Sequence, residues 1–226
     1  MNDAGMSNQA LSNSANTPAD PSSAGQQPRA PRLTLLIRAA KIVTSDGEFV
    51  CVIRDVSESG VKVRFFHEVP VDDLIELHMV SGAQCQIREV RRSGREVAYT
   101  FVGAVDVEQF ANTNLPFPKR GLRIALSFPA RVSARDQTYD ATVYDFSQQG
   151  ARVCCDGRFA IDQTLSLRSD WPGISFGPTY ANVRWRRDAS YGLLFEETME
   201  LAEFARLAAL LQCPALLGLT DSTGWG

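Results

Sequence analysis

Histidine and regularly spaced cysteine are scarce in this 226-residue chain. Two histidines, His67 and His78, cannot furnish a His-rich metal site, and Cys51, Cys85, Cys154, Cys155 and Cys213 show neither CxxC nor Cys/His ligand spacing. No metal site is predicted. An odd cysteine count with no secretion signal ahead of it fits a reducing cytoplasm, with the cysteines as buried free thiols. A positive excess is missing as well. The 23 Lys and Arg against 26 Asp and Glu leave a formal charge of -3, which argues against a broad polyanion-binding surface and restricts any anion site to a local pocket. Long apolar runs are also absent. The stretch 207–219 is interrupted by Gln212 and Pro214 and falls short of the roughly 20 apolar residues that span a bilayer. Finally, no Ser/His/Asp array, nucleophile elbow or phosphate-loop glycines appear, so no enzyme activity and no cofactor are assigned.

The composition that remains is that of a folding chain, with 44% hydrophobic and 22% charged residues. Residues 1–28 are the exception. They are rich in Ser, Asn, Ala, Gln and Pro, with Leu11 their only branched aliphatic and no aromatic, and are expected to form a disordered tail.

From Arg29 onward the chain repeats itself. Arg29-Ala-Pro-Arg32 leads into an apolar run, a turn at Asp46-Gly47, and then Asp55-Val56-Ser57-Glu58-Ser59-Gly60. Arg120-Gly121-Leu122-Arg123 leads through a polar turn at Asp136-Gln137 to Asp145-Phe146-Ser147-Gln148-Gln149-Gly150. The step from second arginine to aspartate is 23 residues in one half and 22 in the other. An alternating strand follows each glycine, 61–65 and 151–154, and each half closes with a hairpin, 88–101 and 183–195. Short strands with regular turn signals predict a mainly all-β protein of two small antiparallel barrels. The expected layout is barrel 1 at 29–111, a stiff Pro-containing linker at 112–118, barrel 2 at 119–213, and a flexible tail at 214–226. Leu201, Phe204, Leu207, Ala208 and Leu211 recur at helical spacing between Thr198, a candidate N-cap, and Pro214, so barrel 2 is expected to end in an amphipathic helix. Trp185 and the strand phenylalanines are expected in the core. Arg91, Arg92, Arg95, Arg186 and Arg187 are expected at solvated hairpin tips.

Paired arginines ahead of a barrel and Asp-x-Ser-x-x-Gly at a strand exit suit a guanine nucleotide. Arginine can bond guanine O6 and N7 in parallel, stack on the base or clamp phosphate, while a carboxylate accepts from base amino groups. For the aspartate and serine alone, backbone bonding in a turn is the simpler use; the matched double occurrence favours the ligand reading. Both halves resemble the PilZ domain, a six-stranded barrel family whose members commonly bind the bacterial second messenger cyclic di-GMP through RxxxR and D/NxSxxG segments. The resemblance implies a cytoplasmic, non-enzymatic tandem PilZ receptor. Its main cyclic di-GMP site would comprise Lys119, Arg120, Arg123, Asp145, Ser147 and Gly150, and a weaker second site Arg29, Arg32, Asp55, Ser57 and Gly60. Both halves depart from RxxxR: Pro28 and Lys119 stand where the first arginine belongs, and each half has RxxR instead. The implied output is a changed interdomain arrangement or protein-partner surface in motility, biofilm or envelope control, with no nucleic-acid polymer as partner and a homo-oligomer possible. The alternative is an adaptor that keeps the fold and has lost the nucleotide.

Overall fold

The computed structural model describes residues 38–73, 75–107, 121–169 and 175–219. The expected tail 1–28, the linker 112–118, Arg29, Arg32, Lys119, Arg120 and residues 220–226 lie outside them.

Two closed six-stranded antiparallel barrels follow one another along the chain, in accord with the fold class read from the repeat. The first is built from β1 (Arg38–Thr44), β2 (Gly47–Ser57), β3 (Gly60–Phe65), β4 (Ile75–Met79), β5 (Gln84–Ser93) and β6 (Glu96–Phe101). The second uses β7 (Arg123–Ala134), β8 (Gln137–Ser147), β9 (Gly150–Cys155), β10 (Thr164–Ser169), β11 (Phe176–Arg187) and β12 (Ser190–Phe195). The order β1-β2-β3-β6-β5-β4 recurs as β7-β8-β9-β12-β11-β10, and each barrel closes by pairing its first strand with its fourth. Alternation drives this: β7 places Ile124, Leu126, Phe128, Ala130 and Val132 inside and exposes the residues between them. The bulges repeat too. Both second strands slip at the residue before the motif aspartate, Arg54 and Tyr144, and both fifth strands slip at Val90 and Arg184.

Helix α1 (Leu201–Gln212) is amphipathic, as its spacing predicts, yet it serves both barrels rather than the second alone. Phe204, Ala205 and Ala208 enter the core of barrel 2, and Ala209 enters that of barrel 1. Val50 of β2 also packs into the second core. The N-cap is Glu200, not Thr198. Met199 is tied by its backbone N–H to Gln148 O (2.9 Å) and by its carbonyl to the Gln148 side chain (2.9 Å), which keeps the chain extended past Thr198. At the other end, Pro214–Leu217 forms a 3-10 turn where a flexible tail was expected. Leu216 packs against the first core, and its carbonyl accepts from Glu68 N at 2.9 Å, which orders the turn.

The helix end is pinned to the β1–β2 turn. Gln212 Nε2 donates to Glu48 O (2.8 Å) and Ala208 O (2.9 Å), and its Oε1 accepts from Glu48 N (2.8 Å). Gly47, at φ 139°, leaves room for that amide: a Cβ there would run into the Gln212 side chain. Gln212→Ala is expected to cost about 1–3 kcal/mol, because backbone groups of Glu48 lose their partners. A lower urea midpoint in fluorescence-monitored unfolding checks this.

The cysteines are free thiols, but only Cys51 and Cys155 are buried; Cys85, Cys154 and Cys213 are half-buried. Cys154 and Cys155 are neighbours on a strand, so only one of them can face the core. His67 is fully buried between the rings of Phe49 and Phe65. Its Nδ1 lies 2.7 Å from Glu68 O, and its Nε2 has no hydrogen-bond partner among the described residues. Burial lowers its pKa from the ordinary imidazole value of 6.5. A neutral folded form and an unfolded form that protonates at about 6.5 mean that this residue's contribution is intact above that pH and is lost as pH falls through the depressed folded value. The urea midpoint is therefore expected to drop from pH 7.5 to 5.5, and less steeply in His67→Gln.

Candidate functional site

The second Asp-x-Ser-x-x-Gly segment spans the end of β8, a tight turn and the start of β9. Ser147, only 4% exposed, donates from Oγ to Gly150 O (3.0 Å) and accepts from Gln149 N (3.4 Å). Gly150 lies so close to β12 that a Cβ would collide with the Leu193 carbonyl. Both residues therefore shape the turn. The same holds in barrel 1, where Ser57 Oγ reaches Gly60 O (3.4 Å) and a Cβ on Gly60 would strike Tyr99 O.

Asp145 faces outward beside this turn, on the solvent side of barrel 2. Ala125 of β7 is its cross-strand neighbour, and Arg123 lies two residues before Ala125. Arg123 Nη1 donates to Asp145 Oδ1 at 2.6 Å, and Arg152 Nε lies 3.1 Å from Asp145 Oδ2. Each arginine is about half exposed. Exposed ion pairs of this kind contribute on the order of 0–1 kcal/mol, so they hold a geometry more than they stabilise the fold.

The structure thus brings together Arg123, Asp145, Ser147 and Gly150 of the expected main site. The expected Lys119 and Arg120 fall outside the described residues. In barrel 1, Asp55, Ser57 and Gly60 occupy the matching turn.

Three residues of the second barrel's face escaped the sequence reading. Arg152 is paired cross-strand with both Asp145 and Gly192, and its guanidinium lies 5.6 Å from the centroid of the Tyr144 ring. Tyr144 is exposed, and the slip at its position lets Asp145 face outward beside it. Trp185, expected in the core, is 42% exposed. It pairs with Gly192 across β11 and β12, and its indole lies on that glycine so closely that a Cβ would overlap the ring. The row Asp145, Arg152, Gly192, Trp185 therefore crosses four strands, with Tyr144 and Trp185 as aromatic surfaces at either side. The strand alternation of Ala151, Arg152 and Val153 already turns Arg152 outward; its closeness to Asp145 depends on the bulge.

This face adjoins barrel 1. Lys41 Nζ donates to Arg123 O (3.2 Å) and pairs with Glu48 Oε1 (2.8 Å), while Glu48 Oε2 accepts from Ala125 N (2.7 Å). The backbone on both sides of Ile124 is thus held by the β1–β2 hairpin.

Residues 119–212 match the model of the PilZ domain. Barrel 1 repeats the strand order and bulges of barrel 2. No curated protein matches the chain. Among solved structures the chain is similar to the PlzA protein of Borreliella burgdorferi in complex with c-di-GMP, at 14% identity over 81% of this chain and 94% of that one, with a TM-score of 0.34. It is similar to the Bacillus subtilis inhibitor of motility MotI/DgrA, at 12% identity over 77% and 96% with a TM-score of 0.33. A third is YcgR from Escherichia coli in complex with c-di-GMP, at 10% identity over 79% and 85% with a TM-score of 0.31. No helix among the described residues is long and apolar enough to cross a membrane.

Proposed function

We propose that the chain is a non-enzymatic cyclic di-GMP-binding effector whose main site is the outer face of barrel 2. The observation that carries this reading is the Asp145 carboxylate flanked by Arg123 and Arg152, with exposed Tyr144 and Trp185 beside them on the segment that matches the PilZ domain. Arg123 and Arg152 offer forked donors to guanine or phosphate oxygens, and Asp145 accepts from the amino edge of a base. Tyr144 and Trp185 offer flat surfaces for stacking. Ser147 and Gly150 act by shaping the turn that presents Asp145. Lys119 and Arg120 complete the cationic entrance, and Arg29, Arg32, Asp55, Ser57 and Gly60 form the weaker second site in barrel 1.

The output follows from what else Arg123 touches. Its carbonyl is bound by Lys41, and the next N–H but one is bound by Glu48. A ligand that draws Arg123 away from Asp145 pulls on these contacts, alters the seating of barrel 1 and changes the surface offered to a protein partner. Motility, biofilm or envelope control is the proposed setting.

Titration of the full chain with cyclic di-GMP, followed by tryptophan fluorescence, tests the reading. Wild type is expected to show a saturable change that Trp185→Phe largely removes. An identical change in Trp185→Phe would contradict the placement of the site. Small-angle scattering with and without saturating ligand tests the output, and superimposable curves would count against it.

A further inference from the structure

Barrel 1 carries the same row of positions as barrel 2, with different chemistry. Where barrel 2 has Tyr144, Arg152, Gly192 and Trp185, barrel 1 has Arg54, Lys62, Ala98 and Arg91 in the same cross-strand register. Both aromatic surfaces are replaced by arginines. Trp185 covers its neighbouring glycine, whereas over Ala98 a cavity of about 380 Å³ remains, lined by Lys62, Arg91, Arg92, Ser93, Glu96 and Ala98. Ligand pockets begin at about 300 Å³, and this one, open to solvent on one side, has the volume class of a small ligand.

The lining is organised. Arg92 is held by Glu89 through Nε (3.1 Å) and Nη2 (2.6 Å), and by Val69 O through Nη1 (3.3 Å), so its guanidinium is fixed in place and largely charge-compensated although the residue stays exposed. Lys62 is fixed by an ion pair with Glu96 Oε2. Foremost through that bond, and also through the charges of Lys62, Arg54 and Arg64, the Glu96 carboxyl is held below its usual range, so it remains an acceptor. Arg91 is exposed and makes no ion pair or hydrogen bond with the described residues, leaving its forked donors unspent. A chain of net charge -3 thus gathers Arg54, Lys62, Arg64, Arg91 and Arg92 on one face.

We propose that this face of barrel 1 takes a phosphorylated small molecule of mononucleotide size, its phosphates on Arg91, Lys62 and Ser93. A lone carboxylate would satisfy Arg91 and leave the cavity empty. Glu96 offers an acceptor for a ligand hydroxyl or amino group, which favours a nucleotide over bare polyphosphate. The site is distinct from the barrel 2 face, because it replaces base stacking by charge and does not use Arg123 or Asp145. It shares the outer face of barrel 1 with the weaker second site, since Lys62 is the cross-strand partner of Asp55, so a nucleotide there would compete with cyclic di-GMP in barrel 1.

Equilibrium dialysis of the full chain at low salt, with ATP, GTP and inorganic pyrophosphate as probes, tests the proposal. One of the two nucleotides is expected to bind saturably at one per chain, more tightly than pyrophosphate and more weakly as salt rises. Arg91→Ala is expected to weaken binding about tenfold or more, as loss of a charge-assisted contact does, with Arg91→Lys intermediate. Circular dichroism melts would show that both variants fold, and cyclic di-GMP binding at barrel 2 should be unchanged in them. Absence of saturable binding by every probe, or equal nucleotide binding in Arg91→Ala, would overturn the proposal. So would a loss of cyclic di-GMP alone in Arg91→Ala, or an Arg91-dependent retention of duplex DNA that ATP does not displace.

Discussion

Replacing Arg123 by alanine is expected to weaken cyclic di-GMP binding about 10- to 100-fold, the loss of one or two charge-assisted contacts of roughly 1.5–3 kcal/mol in all. Arg152→Ala should fall in the same range, because the two guanidiniums grip opposite oxygens of one carboxylate. Stability should hardly change. The half-exposed pairs contribute about 0–1 kcal/mol, which corresponds to a thermal midpoint shift of at most about 4 °C in a chain of this size. Calorimetric titration beside a thermal melt separates the two quantities. Affinity lost together with a collapse in melting temperature would mean that the arginines serve the fold. The register of the entrance is accessible in the same way: Arg120→Ala should weaken binding more than Lys119→Ala if the RxxR spacing places Arg120 in the role of the first arginine.

Phe146→Ala is expected to cost about 3–5 kcal/mol, the usual range for emptying a large aromatic site. Phe146 is fully buried and meets the rings of Phe128, Phe176, Phe195 and Phe204, so its removal opens the core of barrel 2 and loosens helix α1 together. It also stands between Asp145 and Ser147 in the motif. The 145–150 turn is therefore anchored from below by the core, and the variant should lose cyclic di-GMP affinity in proportion to its unfolded fraction. Urea unfolding by circular dichroism gives the stability change. A midpoint within error of wild type would show that the aromatic cluster does not organise this barrel.

The repeat was legible because its signals are local. Asp-x-Ser-x-x-Gly sets a turn by bonds within four residues, and strict alternation in 151–155 or 60–65 sorts the barrel interior from its surface without knowledge of any partner strand. Trp185 was misplaced for the opposite reason. Its exposure depends on Gly192, seven residues away across a hairpin, whose missing side chain lets the indole lie flat outside the barrel. Arg152 and Asp145 become neighbours only through the slip at Tyr144, whose trace in the sequence is the break in alternation between Val143 and Phe146. The helix start moved from Thr198 to Glu200 because Gln148, a motif residue some fifty positions upstream, holds Met199 extended. Likewise, the division of α1 between two cores rests on Ala209 and Gln212 meeting β2, a long-range contact that helical periodicity does not encode.

The two barrels have diverged at the surface while keeping their frame. Gly60 and Gly150 meet the same backbone obstruction, and the bulges coincide, so the interior and the turns are held by packing. The solvated part of the outer face is less constrained by packing. There barrel 2 carries aromatics around Asp145, and barrel 1 carries arginines around Glu96.

Calorimetric titration of the full chain with cyclic di-GMP, wild type against Arg123→Ala, tests the central claim most directly. The account predicts saturable binding by wild type and a 10- to 100-fold weaker isotherm for the variant. No heat of binding in wild type at any temperature tried, or coincident isotherms for the two proteins, would contradict it and leave the chain as a PilZ-fold adaptor.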